Sequence, residues 1–167
     1  MSPVDGAAFR RAMRHYPTGV TVVTSLHQGE PRGMTVSAFA SVSADPPMVL
    51  VCVNRDARSY LFIASSRIFC VNVLASDQRQ LAERFAGGVR DRQFDGIAHT
   101  TGATGAPVLD GTVAFFDCAV DGEHKVGSHS IFIGRVLACE ARADQPLGYL
   151  DGTYSDFTHR GRSTHDL

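Results

Sequence analysis

Short strand-like runs joined by brief polar turns constrain this chain more than any other feature. Residues 20–24, Val20-Thr21-Val22-Val23-Thr24, form a strand by β-branched content. His27-Gln28-Gly29-Glu30 is a turn, and a second strand follows over about 32–37, so the short link predicts an antiparallel hairpin. Residues 48–53 are a continuous apolar run and read as a strand buried on both faces. Further strands are expected over 68–74, 113–120 and 130–138, the last two separated by a polar turn at Asp121-Gly122. Residues 147–154 carry another turn signal, Asp151-Gly152. Hairpin-like links at both ends point to antiparallel pairing of five to seven strands, and a closed or nearly closed barrel removes their free edges. The alternative, a doubly wound parallel sheet, lacks its usual phosphate fingerprint: no G-x-G-x-x-G follows a strand, and there is no P-loop.

Two or three short helices complete the pattern. Residues 3–16 read as a helix capped by Asp5, with Phe9, Ala12, Met13 and Tyr16 on an inner face and Arg10, Arg11 and Arg14 solvated. A second helix is expected over 59–65. A third starts at Asp77 as cap and runs through Phe85, with Leu81, Ala82 and Phe85 facing inward. Residues 86–107 lose all pattern and read as a long loop of the functional or mobile kind.

A length of 167 residues fits one domain, taken as 1–157, with residues 158–167 a polar tail expected to be disordered. The net charge of −1 lacks the basic excess of a nucleic-acid binder. No signal-like apolar core and no run near the roughly 20 apolar residues of a membrane span occur, so a cytoplasmic protein is expected. The four cysteines form no C-x-x-C pair; Cys52, Cys70 and Cys139 lie in apolar runs and read as buried free thiols. His124 and His129 have no third ligand nearby in sequence, so no metal is expected.

The segment from Gly33 to Pro47 stands out chemically. Met34, Val36 and Ala38 alternate with Thr35, Ser37 and Phe39, and Ser41, Val42 and Ser43 lead to Asp45-Pro46-Pro47. Hydroxyls and close backbone approach suit a flat polar ligand. The competing structural reading is a strand that fades into a Ser-rich loop.

Several pieces, in this order, carry a resemblance. They are Pro17-Thr18-Gly19-Val20-Thr21-Val22-Val23-Thr24, the Gly33–Pro47 segment, Val53-Asn54-Arg55 with Ser59, and Phe69-Cys70-Val71-Asn72-Val73-Leu74. Leu81-Ala82-Glu83-Arg84-Phe85-Ala86, Gly105-Ala106-Pro107-Val108-Leu109, Cys118, Gly127-Ser128-His129-Ser130-Ile131-Phe132-Ile133-Gly134-Arg135-Val136, and Pro146-Leu147 through Tyr154 follow. Over about residues 7–157 the chain resembles the flavin reductase family, small reductase components of two-component flavin monooxygenases. The resemblance implies a mainly β fold: an FMN-binding split β-barrel, antiparallel and Greek-key-like, with a few short helices. It implies FMN or FAD as flavin, NADH or NADPH as hydride donor, a homodimer, and a separate monooxygenase that receives reduced flavin.

By position, the resemblance places flavin against Met34, Thr35, Val36, Ser37, Ala38, Ser41, Val42 and Ser43. Asn54, Arg55 and Ser59 would face its ribityl-phosphate end, with Arg55 or Arg58 supplying charge. Asn72, Phe85 and Tyr154 are further candidates, although Asn72 also fits a satisfied polar residue at a strand centre and Phe85 also fits core. His129 would orient nicotinamide or flavin. In relatives this histidine usually follows Gly-Asp; here Ser128 can cap the turn but brings no charge. Alternatives on the same barrel are a non-catalytic flavin- or haem-binding protein or a pyridoxamine-phosphate-oxidase-like enzyme. A non-enzymatic binding module is the remaining one.

Overall fold

A computed structural model describes residues 3–88 and 92–157. In chain order the elements are α1 (Gly6–Met13), β1 (Thr18–Gly19), β2 (Thr21–His27), β3 (Glu30–Val36), β4 (Phe39–Ala44), β5 (Pro47–Asn54), α2 (Arg58–Ser66) and β6 (Ile68–Val73). Then come α3 (Arg79–Glu83), which runs into a wider helical turn at Arg84–Gly88, and β7 (His99–Thr101), β8 (Pro107–Leu109), β9 (Ala114–Val126), β10 (His129–Ala141), β11 (Leu147–Leu150) and β12 (Thr153–Asp156).

Seven strands form one antiparallel sheet in the order β3-β2-β6-β9-β10-β5-β4. Its two edges, β3 and β4, are consecutive in the chain and joined only by Ser37 and Ala38. A link that short forces the sheet to roll until its edges approach. Ala38 fixes the joint by accepting a hydrogen bond from the Cys52 amide at 3.0 Å. The two edges do not hydrogen-bond to each other, so the barrel stays split, in agreement with the fold expected from the sequence.

Alternate side chains fill the inside of the roll: Val23, Val36, Val49, Val51, Val53, Phe69, Val71 and Phe132, with Ile63 of α2 packed among them. Each such fully buried apolar side chain contributes about 1.5–3 kcal/mol. A second apolar layer covers the outer side of β2 and β6 and includes Val22, Leu74, Ala82, Phe85, Leu109 and Leu147. The roll therefore carries core on both sides at β2 and β6, and α3 with its wide turn belongs to the outer layer.

Several expectations are corrected. β5 is not buried on both faces: Val49, Val51 and Val53 are buried, while Met48, Leu50 and Cys52 on its other face are half-buried. Asp77 does not cap α3. Gln78 holds that position, and its Oε1 accepts from the Ala75 amide at 3.0 Å. α1 is capped by Asp5 as expected, but Phe9, Met13 and Tyr16 are 60%, 47% and 63% exposed, so this chain leaves the helix's apolar face uncovered. Asp121-Gly122 is not a turn. β9 and β10 each run 13 residues and turn at Gly127-Ser128, while Asp121 bulges out where pairing shifts from Ile133–Gly122 to Gly134–Val120. The long loop contains β7, which pairs with β8 at the loop's far end.

Cys139 is exposed because the end of β10 runs beyond the packed core. The buried thiols are Cys70 and Cys118. Burial, aided by the charge of Asp117, pushes Cys118 up to about 12 and raises Cys70 further. Residues 158–167, expected as a tail, lie outside the described residues.

Candidate active site

A cleft of about 330 Å³ opens between β3, the segment leading into α2, and the wide turn after α3. β3 reaches it through Gly33, Met34 and Thr35. A Cβ on Gly33 would stand 2.7 Å from two Phe85 ring atoms, so only glycine lets that ring lie against the strand. Phe85 itself is 2% exposed; it is a wall of the cleft and a member of the outer core at once.

Hydrogen bonds hold these walls together. Thr35 Oγ1 donates to the Ala82 carbonyl at 2.6 Å, tying β3 to α3. Ser59 Oγ donates to the Gly33 carbonyl at 3.3 Å, tying α2 to β3. Gln93 Oε1 accepts from the Gly33 amide at 3.4 Å. At the start of α2, Ala57 occupies the cap position and supplies no side-chain hydrogen bond. The first-turn N–H groups of this nine-residue helix therefore carry their partial positive charge without a side-chain cap. Arg58, exposed, and Ser59, buried, are its first two residues, and both line the cleft.

A second group gathers at the end of the barrel. His129 lies opposite Asn54 in the β10–β5 register. The Arg55 amide donates to the Ser128 carbonyl at 3.0 Å, and its guanidinium donates to the Gly127 carbonyl. Asn54 Oδ1 accepts from the Asp56 amide at 3.0 Å, and Ser128 Oγ is 2.9 Å from His129 Nδ1. Asn54, Arg55 and His129 are all exposed. Residues 54–59 run directly from this turn into the cleft.

Glu123 braces the two regions, accepting from Ser130 Oγ at 2.7 Å and from the Tyr60 hydroxyl of α2 at 3.1 Å. The Ser130 bond, foremost, holds its carboxyl below the ordinary range against the effect of burial.

Other predicted residues sit elsewhere. Val36 points into the barrel core. Asn72 is fully buried, and its amide is wholly engaged: Nδ2 donates to the Val22 carbonyl at 3.0 Å and to Thr24 Oγ1 at 3.1 Å, and Oδ1 accepts from the Leu109 amide at 2.8 Å. It cross-links β2, β6 and β8, which is the structural alternative read from the sequence, and no face of it is open to a ligand. Ser37 lines a separate cavity of about 340 Å³ with Tyr16, Thr18 and Phe39; Ala38 sits at the joint described above. Ser41 and Val42 lie exposed on edge strand β4, where Val42 drops out of register, and Ser43 Oγ bonds the backbone of Asp45. Tyr154 packs on Tyr149, with the Arg79 guanidinium 5.5 Å from its ring centre.

The cleft thus unites Met34, Thr35, Ser59 and Phe85, and the barrel end unites Asn54, Arg55 and His129. Arg32 and Gln93 also line the cleft and were not singled out from the sequence. The only signal for Gln93 was the length of the loop that carries it.

A family model described as flavin reductase like domain matches residues 13–158. The reductase subunit of a flavin-dependent monooxygenase from Rhodococcus jostii is 38% identical over 153 residues, covering 91% of this chain and 78% of that relative. An FMN reductase (NADH) of Agrobacterium fabrum is 37% identical over 156 residues, covering 93% and 88%. The solved structure of a Streptomyces globisporus NADH:FAD oxidoreductase superposes with a TM-score of 0.89 at 36% identity, covering 95% of this chain and 97% of that one.

Proposed function

Because the chain belongs to the flavin reductase-like family, we propose that it is an NADH-dependent flavin reductase whose reduced flavin passes to a separate monooxygenase. The cleft carries this reading. Apolar walls from Met34 and Phe85 share one space with the uncapped start of α2, where Arg58 and Ser59 stand. That donor set fits a ligand with a flat ring at one end and a phosphate at the other.

Bound flavin supplies a ring that takes up a hydride from the nicotinamide. The work of the protein is to bind and orient. Arg58 and the first-turn amides of α2 would hold the phosphate end, while the Ser59 hydroxyl, committed to the Gly33 carbonyl, fixes α2 against β3. The Thr35 hydroxyl is already committed to Ala82, so β3 acts through its backbone and shape. His129, exposed at the barrel end beside Asn54, orients the nicotinamide. No side chain acts as a nucleophile.

The protein is proposed to work as a single-domain homodimer in the cytoplasm, over residues 1–157. The uncovered face of α1, with Phe9, Met13 and Tyr16 exposed, supports burial against a second copy. Among the described residues no helix is long and apolar enough to cross a membrane.

Steady-state oxidation of NADH and NADPH, with and without FMN or FAD, tests the reading. A rate that saturates with flavin is expected. No flavin-dependent rate with either donor overturns it.

A further inference from the structure

One carboxylate joins the cleft to the His129 turn. Glu123 of β9 lies opposite Phe132 in the β9–β10 register. Ser130 is two residues from Phe132 and so shares its face of the strand; both are fully buried. Ser130 Oγ donates to Glu123 Oε1 at 2.7 Å, and the Tyr60 hydroxyl donates to the same oxygen at 3.1 Å. The Tyr60 ring packs beside Phe132, 5.9 Å between ring centres, and this packing aims its hydroxyl.

Each donor stands next to a group of the site. Tyr60 follows Arg58 and Ser59 in the first turn of α2, and Ser130 follows His129 on β10. The main chain joins the same two places by another route. The Arg55 amide donates to the Ser128 carbonyl at 3.0 Å, and the chain then leads directly into α2. The result is a closed ring, with backbone from Arg55 to Tyr60 on one side and the Glu123 carboxylate on the other.

The carboxylate is the stiff side of this ring. Hydrogen bonds to an ionised acceptor are about twice as strong as neutral ones. Because both hydroxyls converge on one oxygen, Tyr60 cannot shift without drawing Ser130 with it. The Ser59 tie from the same helical turn to Gly33 is longer, at 3.3 Å, and the helix start has no side-chain cap.

We infer that Glu123 is a positioning residue that sets the start of α2 against His129, and with it the flavin against the nicotinamide. It acts through Tyr60 and Ser130 rather than on either ligand. This rests on the flavin reading of the cleft. Hydride transfer needs its reacting atoms within about 3–3.5 Å, and a misplacement of about 1 Å costs on the order of 100-fold. Affinity for each ligand depends instead on that ligand's own contacts. The signature is a slower hydride transfer with both affinities kept.

Tyr60→Phe removes one hydroxyl and keeps the ring beside Phe132; Glu123→Gln removes the charge. Anaerobic stopped-flow reduction of flavin by NADH tests both in the full chain. The limiting rate is expected to fall roughly tenfold in each variant, while dissociation constants for flavin and NAD+ stay unchanged. The double variant is no slower than Glu123→Gln alone, because the two groups act as one unit. In the ligand-free chain, amide hydrogen exchange in Tyr60→Phe quickens over residues 57–60 and 128–130 together. Tyr60→Phe stays informative if Glu123→Gln does not fold. An unchanged limiting rate, a loss confined to affinity, additive losses in the double variant, or faster exchange at 57–60 alone overturns the inference and leaves the flavin cleft standing. Failure of the wild type to reduce flavin overturns the flavin reading instead, and the exchange result still decides whether Glu123 links the two segments.

Discussion

The cleft and the barrel-end turn hold their polar groups in opposite ways. In the cleft, the Thr35 and Ser59 hydroxyls are engaged with backbone carbonyls of neighbouring elements, and Phe85 is both wall and core. At the turn, Asn54, Arg55 and His129 are exposed; Asn54 and His129 bond near neighbours in the chain, and Arg55 donates to the Gly127 and Ser128 carbonyls of the facing turn. The cleft's shape is therefore part of the folding energy, while the turn presents groups that folding does not require. Substitutions should couple stability to binding in the first region and separate them in the second.

Phe85→Ala gives the largest effect. Loss of this ring costs about 3–5 kcal/mol, read by urea denaturation, and abolishes measurable flavin binding; a variant of unchanged stability would break the coupling. Asn72→Ala comes next, at about 1–3 kcal/mol, because the Leu109 amide loses its buried acceptor. Flavin affinity of the folded variant is unchanged, and a selective loss of affinity would return Asn72 to the site.

Arg58→Gln weakens flavin binding roughly tenfold, the loss of one charge-assisted hydrogen bond. Stability stays within about 0.5 kcal/mol, as for an exposed side chain. At the turn, His129→Asn leaves stability and flavin affinity unchanged and raises the KM for NADH severalfold; a drop in melting temperature would erase the contrast between the regions.

The smallest effect concerns pH. The Glu123 carboxyl is held below its ordinary value of about 4.5 in the folded chain. Its contribution to stability is thus full above that value and is lost as the pH falls through the lower folded value. Glu123→Gln should flatten this acid limb in thermal melts recorded below about pH 4.5, and an unaltered limb would remove Glu123 as the brace.

The same contrast explains what was legible in the sequence. Asp151-Gly152 turns as read, with both residues at positive φ, 50° and 80°, because a two-residue hairpin asks only for local chemistry. Asp121-Gly122 has the same composition yet bulges inside β9, because pairing with Ile133 and Gly134 decides its shape and those partners lie beyond local pattern. The continuous apolar run of β5 could not disclose that its second face is only half-covered by this chain. In the site, Met34, Thr35, Ser59 and Phe85 converge although three separate segments carry them. Gln93 was not legible: it reaches Gly33 across 60 residues from a segment with no periodicity.

The central claim is that flavin occupies the cleft between β3, α2 and the turn at Arg84–Gly88. Amide hydrogen exchange with and without saturating FMN tests it most directly. The account predicts added protection over residues 33–35 and 57–60, with little change over β7, β11 and β12. Protection confined to other strands, with residues 57–60 unaltered, would contradict it.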